Sequence, residues 1–166
     1  MSGNYLENAS VLRVRQALSD LGALHEVTAL PAGARTAQDA ADALGVPLGA
    51  IVKSLVFMIG EQPVMALVAG DRRCLMQALP EVLGLSGTVK RADAAMVRRA
   101  TGFAIGGVAP VGHPQVLPIA VDASLARFET VWAAAGHPHC VFRTSLDELR
   151  RITPGVAAEG ISCESA

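Results

Sequence analysis

Two apolar runs, Ala50–Ile59 and Val64–Gly70, flank the turn Gly60-Glu61-Gln62-Pro63. Such a pair reads as a β-hairpin, and strands apolar on both faces belong in the middle of a sheet. Any fold for this chain has to be built around that hairpin. The first run carries a single charge, Lys53, within Ile51-Val52-Lys53-Ser54-Leu55. Removing an ammonium from water is costly unless a partner or a pKa shift compensates. On an edge strand Lys53 would snorkel, stem on the core and charge in water. In a central strand it points into a cavity, which makes it a site candidate.

The rest of the chain alternates helical and extended patterns. Val11, Leu12, Val14, Leu18 and Leu21 have helical spacing over 10–21, ended by Gly22. His25–Leu30 reads as a short strand. Thr36, with Asp39 three residues on, forms an acidic variant of the capping box and opens a helix over Ala37–Leu44 before Gly45. After the hairpin a helix is expected over Cys74–Leu83, interrupted by Pro80, and another over Ala94–Ala100, capped by Asp93. Val116–Asp122, Thr130–Ala135 and His139–Arg143 are strand candidates, and Ser145 with Glu148 is a capping box for a last helix to Ile152. Without a regular βαβ repeat, the expectation is a mixed α/β (α+β) fold. Its mixed sheet curls into a partial barrel with helices outside, rather than forming a doubly wound sheet. The 166 residues suit one domain, 1–166.

Composition narrows the function classes. A net charge of −1 argues against a protein that coats DNA or long RNA by general electrostatics. No apolar stretch reaches the roughly 20 residues of a membrane span, and the first residues lack a signal-peptide pattern, so a cytoplasmic location without membrane contact is expected. Three widely spaced cysteines, Cys74, Cys140 and Cys163, indicate neither a disulfide framework nor a zinc knuckle.

Between Thr101 and Pro114 lie four glycines and two prolines in fourteen residues. Glycines let a ligand approach the backbone and Pro110 stiffens the loop, so successive N–H groups can form an anion nest or oxyanion hole; a tight structural crossover explains the same composition. Neither a phosphate loop nor a dinucleotide fingerprint is present. His137 and His139, with His113 elsewhere, raise a metal hypothesis that lacks a companion ligand pair. No sequence feature activates Cys74 or Cys140 as a nucleophile, and no nucleophile elbow occurs.

Three segments resemble the YbaK/ProX family, free-standing relatives of the editing domain of bacterial prolyl-tRNA synthetases. They are Ile51-Val52-Lys53-Ser54-Leu55, the loop Thr101-Gly102-Phe103 leading to Gly106-Gly107-Val108-Ala109-Pro110, and Leu117-Pro118-Ile119-Ala120-Val121-Asp122. The likeness runs from Ser10 to Thr153. It implies an aminoacyl-tRNA deacylase with no cofactor and no metal. The substrate would be the acceptor end of mischarged tRNA(Pro), edited in trans after prolyl-tRNA synthetase, a possible partner, releases it.

By that resemblance Lys53, Gly106, Gly107 and Pro110 are the catalytic candidates, and Thr36, Phe103, Ile105, Val108, Asp122 and Ala134 line the substrate site. Phe103 stands where some relatives have tyrosine, leaving an aromatic platform without the hydroxyl. Ala134 and Ala135 stand where relatives place serine, which favours alanine or 2-aminobutyrate as cargo over cysteine or serine. Two other readings are a non-catalytic module for a nucleotide or tRNA 3′ end, and a metal-dependent hydrolase using His137 and His139.

Overall fold

The computed structural model describes residues 4–31 and 33–165. In chain order the elements are α1 (Ala9–Asp20), β1 (Val27–Ala29), α2 (Ala37–Leu44), β2 (Ile51–Ile59), β3 (Gln62–Ala69), β4 (Arg72–Cys74), α3 (Leu79–Leu83) and β5 (Val89–Arg91). They continue with α4 (Ala94–Thr101), β6 (Ile119–Asp122), β7 (Val131–His137), β8 (Cys140–Thr144), α5 (Leu146–Ile152), β9 (Val156–Ala158) and β10 (Ser162–Glu164). One mixed sheet has the order β1-β8-β7-β2-β3-β6-β9, with β5 also beside β2, while β4 and β10 pair separately. The expected architecture is thus the observed one, and the apolar hairpin β2–β3 occupies its centre.

The hairpin divides the core. Val52 and Val56 face one layer, with Val11 and Val14 of α1, Val97 of α4 and Leu149 of α5. Phe57 and Ile59 face the other, against Leu79 of α3 and Ile161. Lys53 and Leu55 share the parity of Phe57, because successive strand side chains alternate. A third cluster packs Ala40 and Ala41 of α2 on Ile51 and Val141.

Thr36 caps α2 with the full reciprocal pair: its side chain accepts from Asp39 N–H, and the Asp39 carboxylate accepts from Thr36 N–H. Asp93 caps α4 through Met96 N–H. Ser145 caps α5, but the reciprocal half of the expected box is missing, since the Glu148 carboxylate turns to Leu24 N–H and Arg151.

Two expected elements differ. The helix over Cys74–Leu83 starts only at Leu79, because Cys74 belongs to β4, opposite Ser162 of β10. Pro80 sits in the helix's first turn, where its missing N–H is no loss, so it opens the helix rather than interrupting it. The strand expected over Val116–Asp122 begins at Ile119. Pro118 contributes only its carbonyl, which accepts from Met65 N–H at 2.9 Å, and Val116 is 83% exposed.

Candidate active site

The sheet leaves a gap beside Lys53. One edge of β2 is taken by β3 along its whole length, but the other is shared between two short partners. Parallel β7 pairs with Ile51 and Val52, and antiparallel β5 pairs with Phe57, Met58 and Ile59. Among the described residues, no strand pairs with Lys53, Ser54 or Leu55 on that side. Gly70 N–H donates to Ile51 O, so the odd-numbered residues of β2 spend their main-chain groups on β3 and the even-numbered ones face the other edge. Ser54 therefore presents its N–H and carbonyl to the gap.

A cavity of about 270 Å³ opens there. Ile51, Lys53, Leu55, Trp132 and Ala134 give its floor, Arg35, Thr36 and Ala40 one wall, and Ile105, Gly106, Val108 and Pro138 the other. The lining is apolar apart from Lys53, Ser54, Arg35 and Thr36. A larger hollow of about 650 Å³ lies between α1 and β1, lined by Leu12, Arg15, Gln16 and His25 among others. It brings together none of the backbone glycines or the strand lysine, so the smaller cavity is the one with chemistry to offer.

Lys53 Nζ donates to the main-chain carbonyl of Arg72. Burial pushes its pKa down, while Cys74, Asp71 and Asp122 pull it back up. The ammonium thus keeps a fixed acceptor on one side and two N–H bonds for a ligand. Cys74 beside it is pushed up to about 11, by burial and then by Asp122. At neutral pH it is a thiol and not a nucleophile.

The glycine loop forms the rim. Gly106 has φ +99°, a left-handed conformation that favours glycine, and its Cα faces Pro138. Gly107 is needed for a different reason: a Cβ there would stand 2.9 Å from both Cα and N of His137. Gly107 N–H closes a turn onto Ala104 O at 3.1 Å, so it is not a donor for a ligand. Ile105, 64% exposed, projects at the mouth.

A family model described as an aminoacyl-tRNA editing domain matches residues 31–152, which holds α2, the Lys53 strand, the glycine loop and β7. The chain belongs to the aminoacyl-tRNA editing domain family. That membership makes it an aminoacyl-tRNA deacylase with a tRNA-related partner. A solved structure described as a candidate trans-editing enzyme for prolyl tRNA synthetase is 40% identical, with a TM-score of 0.85, covering 92% of this chain and 96% of that one. YwhH of Bacillus subtilis, described as uncharacterised, is 29% identical over 141 residues, 84% of this chain and 88% of its own length. A proline-tRNA ligase of Thermosipho africanus is 40% identical over 86 residues, 52% of this chain but 15% of the ligase.

Within this editing domain the expected site residues separate into two groups. Lys53, Gly106, Ile105, Val108, Thr36 and Ala134 line one cavity. Phe103, Gly107, Pro110 and Asp122 do not. Phe103 is fully buried, with the Arg13 guanidinium 4.4 Å over its ring and His113 at its edge, so it is no platform for adenine. Pro110 lines a separate hollow with Leu117 and Ile152. Asp122 is 2% exposed and accepts from Ala69 N, Ser124 N and Ser162 Oγ.

The histidines also have structural partners. His139 accepts from Gly33 N–H through Nε2, and His137 from His139 N–H through Nδ1. Tyr5 stacks on His139 with ring centroids 4.6 Å apart. Among the described residues no group of three or more His, Cys, Asp or Glu could hold a metal, so the metal-dependent reading has no ligand set to rest on.

Three residues of the editing domain's cavity escape a sequence reading. Trp132 gives an aromatic floor beside Ile51, Arg35 supplies a second cation, and Ser54 has a buried hydroxyl without a hydrogen-bond partner among the described residues. Trp132 alone had a usable signal, since it is the chain's single tryptophan and sits in a strand of small residues.

Proposed function

We propose that this editing domain acts in trans on tRNA(Pro) mischarged with a small aliphatic amino acid, alanine or 2-aminobutyrate ahead of cysteine or serine. The observation that carries this reading is the cavity itself: about 270 Å³, mostly apolar, with its one lysine at the open edge of β2. Such a volume takes a small side chain and the ester beside it, and Ala134 on the floor offers no hydroxyl to a polar cargo.

An aminoacyl ester is already reactive, so the enzyme has only to hold the terminal adenosine, polarise the carbonyl and admit water. Lys53 binds the terminal phosphate or ester oxygens with its free N–H bonds. Gly106 N–H and Ser54 N–H are the main-chain donors on the cavity wall for the carbonyl oxygen. Water adds to the carbonyl carbon, and the intermediate collapses with loss of the ribose oxygen. The water's second proton ends on that oxygen, giving free amino acid and intact tRNA. Arg35 at the rim meets the phosphate backbone. Because one methylene is worth only about 1–3 kcal/mol in a pocket, proline is excluded by shape and clash rather than by a lost contact.

The test is a deacylation panel in which tRNA(Pro) carries alanine, 2-aminobutyrate, serine, cysteine, threonine or proline. Alanine and 2-aminobutyrate should be released fastest and proline spared. Preferential release of cysteine or serine would overturn the cargo assignment. Tight binding of a non-hydrolysable aminoacyl-adenosine with no turnover of any ester would instead favour a non-catalytic binding module.

A further inference from the structure

Asp122 and Ser162 form a buried network that reaches Lys53 from behind. Ser162 Oγ donates to Asp122 Oδ2 at 2.8 Å and accepts from Arg72 Nε at 2.7 Å, while Arg72 Nη2 donates to Ser162 O at 2.9 Å. Ser162 is 7% exposed and Asp122 2%. Asp122 is itself fixed by Ala69 N–H from β3 and Ser124 N–H. The guanidinium of Arg72 is thus docked on the hydroxyl and the main-chain carbonyl of one residue, and the carbonyl of Arg72 itself is the acceptor of the Lys53 ammonium. Pairing of β4 with β10 carries this arrangement, with Cys74 opposite Ser162 and Arg72 opposite Glu164. Ser162 lies beyond residues 31–152, the part matched by the family model.

We propose that Ser162 is a positioning residue for Lys53, acting through Arg72. A lysine on a central strand has four rotatable bonds between its backbone and its charge. It holds one geometry only if its acceptor is fixed. Arg72 O belongs to a three-residue strand that, among the described residues, pairs with β10 alone, so its position depends on the contacts that pin Arg72 to Ser162. The inference rests on the reading of Lys53 as the substrate-orienting cation.

The same contacts bear on its charge. Burial pushes the Lys53 pKa down, and the groups facing it from the neighbouring elements are Cys74 on β4, Asp71 in the β3–β4 turn and Asp122 at the end of β6. Arg91 on β5 acts in turn on Cys74. A loosened Arg72 carbonyl leaves burial less opposed, so the ammonium deprotonates at lower pH.

The experiment compares deacylation of Ala-tRNA(Pro) by the full chain and its Ser162→Ala, Ser162→Thr, Arg72→Met and Lys53→Ala variants across pH. Ser162→Ala is expected to lower kcat/KM about tenfold and to move the alkaline limb of the profile down by about half a pH unit. Ser162→Thr keeps the hydroxyl and should restore both. Arg72→Met removes the guanidinium, keeps the main chain of β4 and should reproduce the alanine variant, which decides the matter if Ser162→Ala fails to fold. Wild-type kinetics and an unmoved limb in a folded Ser162→Ala or Arg72→Met protein, with Lys53→Ala inactive, would overturn the positioning role alone. Full activity of Lys53→Ala would instead remove the reading of Lys53, and the proposal with it.

Discussion

Gly107 lies against the main chain of His137, with room for a hydrogen and not for a methyl: a Cβ there would come within 2.9 Å of His137 Cα and N. Both contacts are backbone, so neither can rotate away. Gly107→Ala should therefore displace the cavity rim, costing about 1–3 kcal/mol of stability as an overpacking change and most of the deacylation rate. Gly106→Ala meets only Pro138 Cγ at 3.7 Å, and its cost is the strain of φ +99°, about 1 kcal/mol. Thermal melts of the two variants should rank Gly107→Ala as the less stable. The opposite order would show that the loop, and not β7, yields.

Lys53 is expected to set the alkaline limit of activity. Its folded pKa lies below that of an ordinary lysine because of burial, and on the proposed mechanism the charged form orients substrate. Activity should therefore be full at low and neutral pH and be lost as pH rises through that lowered value, earlier than for an exposed lysine. Lys53→Met keeps the stem, removes the desolvated charge and should leave the melting temperature unchanged or raised while lowering kcat/KM by at least about a hundredfold, the scale of one oriented electrostatic contact. A flat alkaline limb in the wild type would contradict this.

Ser54 bears on stability through its side chain. Among the described residues its buried hydroxyl has no hydrogen-bond partner, and an unsatisfied buried donor costs about 1–3 kcal/mol. Ser54→Ala removes that group, so the variant should unfold at equal or higher denaturant concentration than the wild type. Because that hydroxyl is buried and lies on the face of β2 opposite Lys53, the same variant should keep the wild-type deacylation rate. A less stable Ser54→Ala protein would mean that the hydroxyl is satisfied in solution.

How far the sequence reveals this site depends on the range of each signal. The hairpin, the Thr36–Asp39 box and the Asp93 cap are local patterns, and all three are present in the fold. The gap beside Lys53 is not local, because it exists only where β7 stops at Val52 and β5 starts at Phe57. Strands β4 and β10 are three residues each and find one another across some ninety positions, too short to show periodicity. Phe103, Pro110 and Asp122 show the limit of transfer by motif: each lies in a matching segment, yet packing turns each away from the cavity.

Neither Cys74 nor Cys140 should act as a nucleophile. Cys74 and Cys140 are both pushed up to about 11, chiefly by burial, so the thiolate is scarce at neutral pH. Cys74→Ser and Cys140→Ser should keep deacylation within about threefold of wild type, below the 10²-fold loss expected for a catalytic group. Preincubation with iodoacetamide at pH 7 should leave the rate unchanged. A burst of covalent aminoacyl-enzyme lost in Cys74→Ser would reverse the conclusion.

Glu148 ties the last helix to the first across the back of the sheet. Its carboxylate, 6% exposed, accepts from Leu24 N–H at 2.8 Å and from Arg151 Nε and Nη2 at 2.7 and 2.8 Å. Arg151 also donates to Leu21 O and Gly22 O beyond the end of α1. Arg151 is half exposed, so solvent screens its share of the ion pair. Glu148→Gln should cost about 1–3 kcal/mol at pH 7. The Arg151 hydrogen bond, with smaller help from Leu24, holds the Glu148 carboxyl below the ordinary glutamate range. A depressed folded pKa contributes stability above the unfolded value and loses it as pH falls through the folded value. Urea midpoints of wild type and Glu148→Gln should therefore differ at pH 7 and converge below about pH 4. A constant gap down to acid pH would assign the loss to altered packing rather than to the charge.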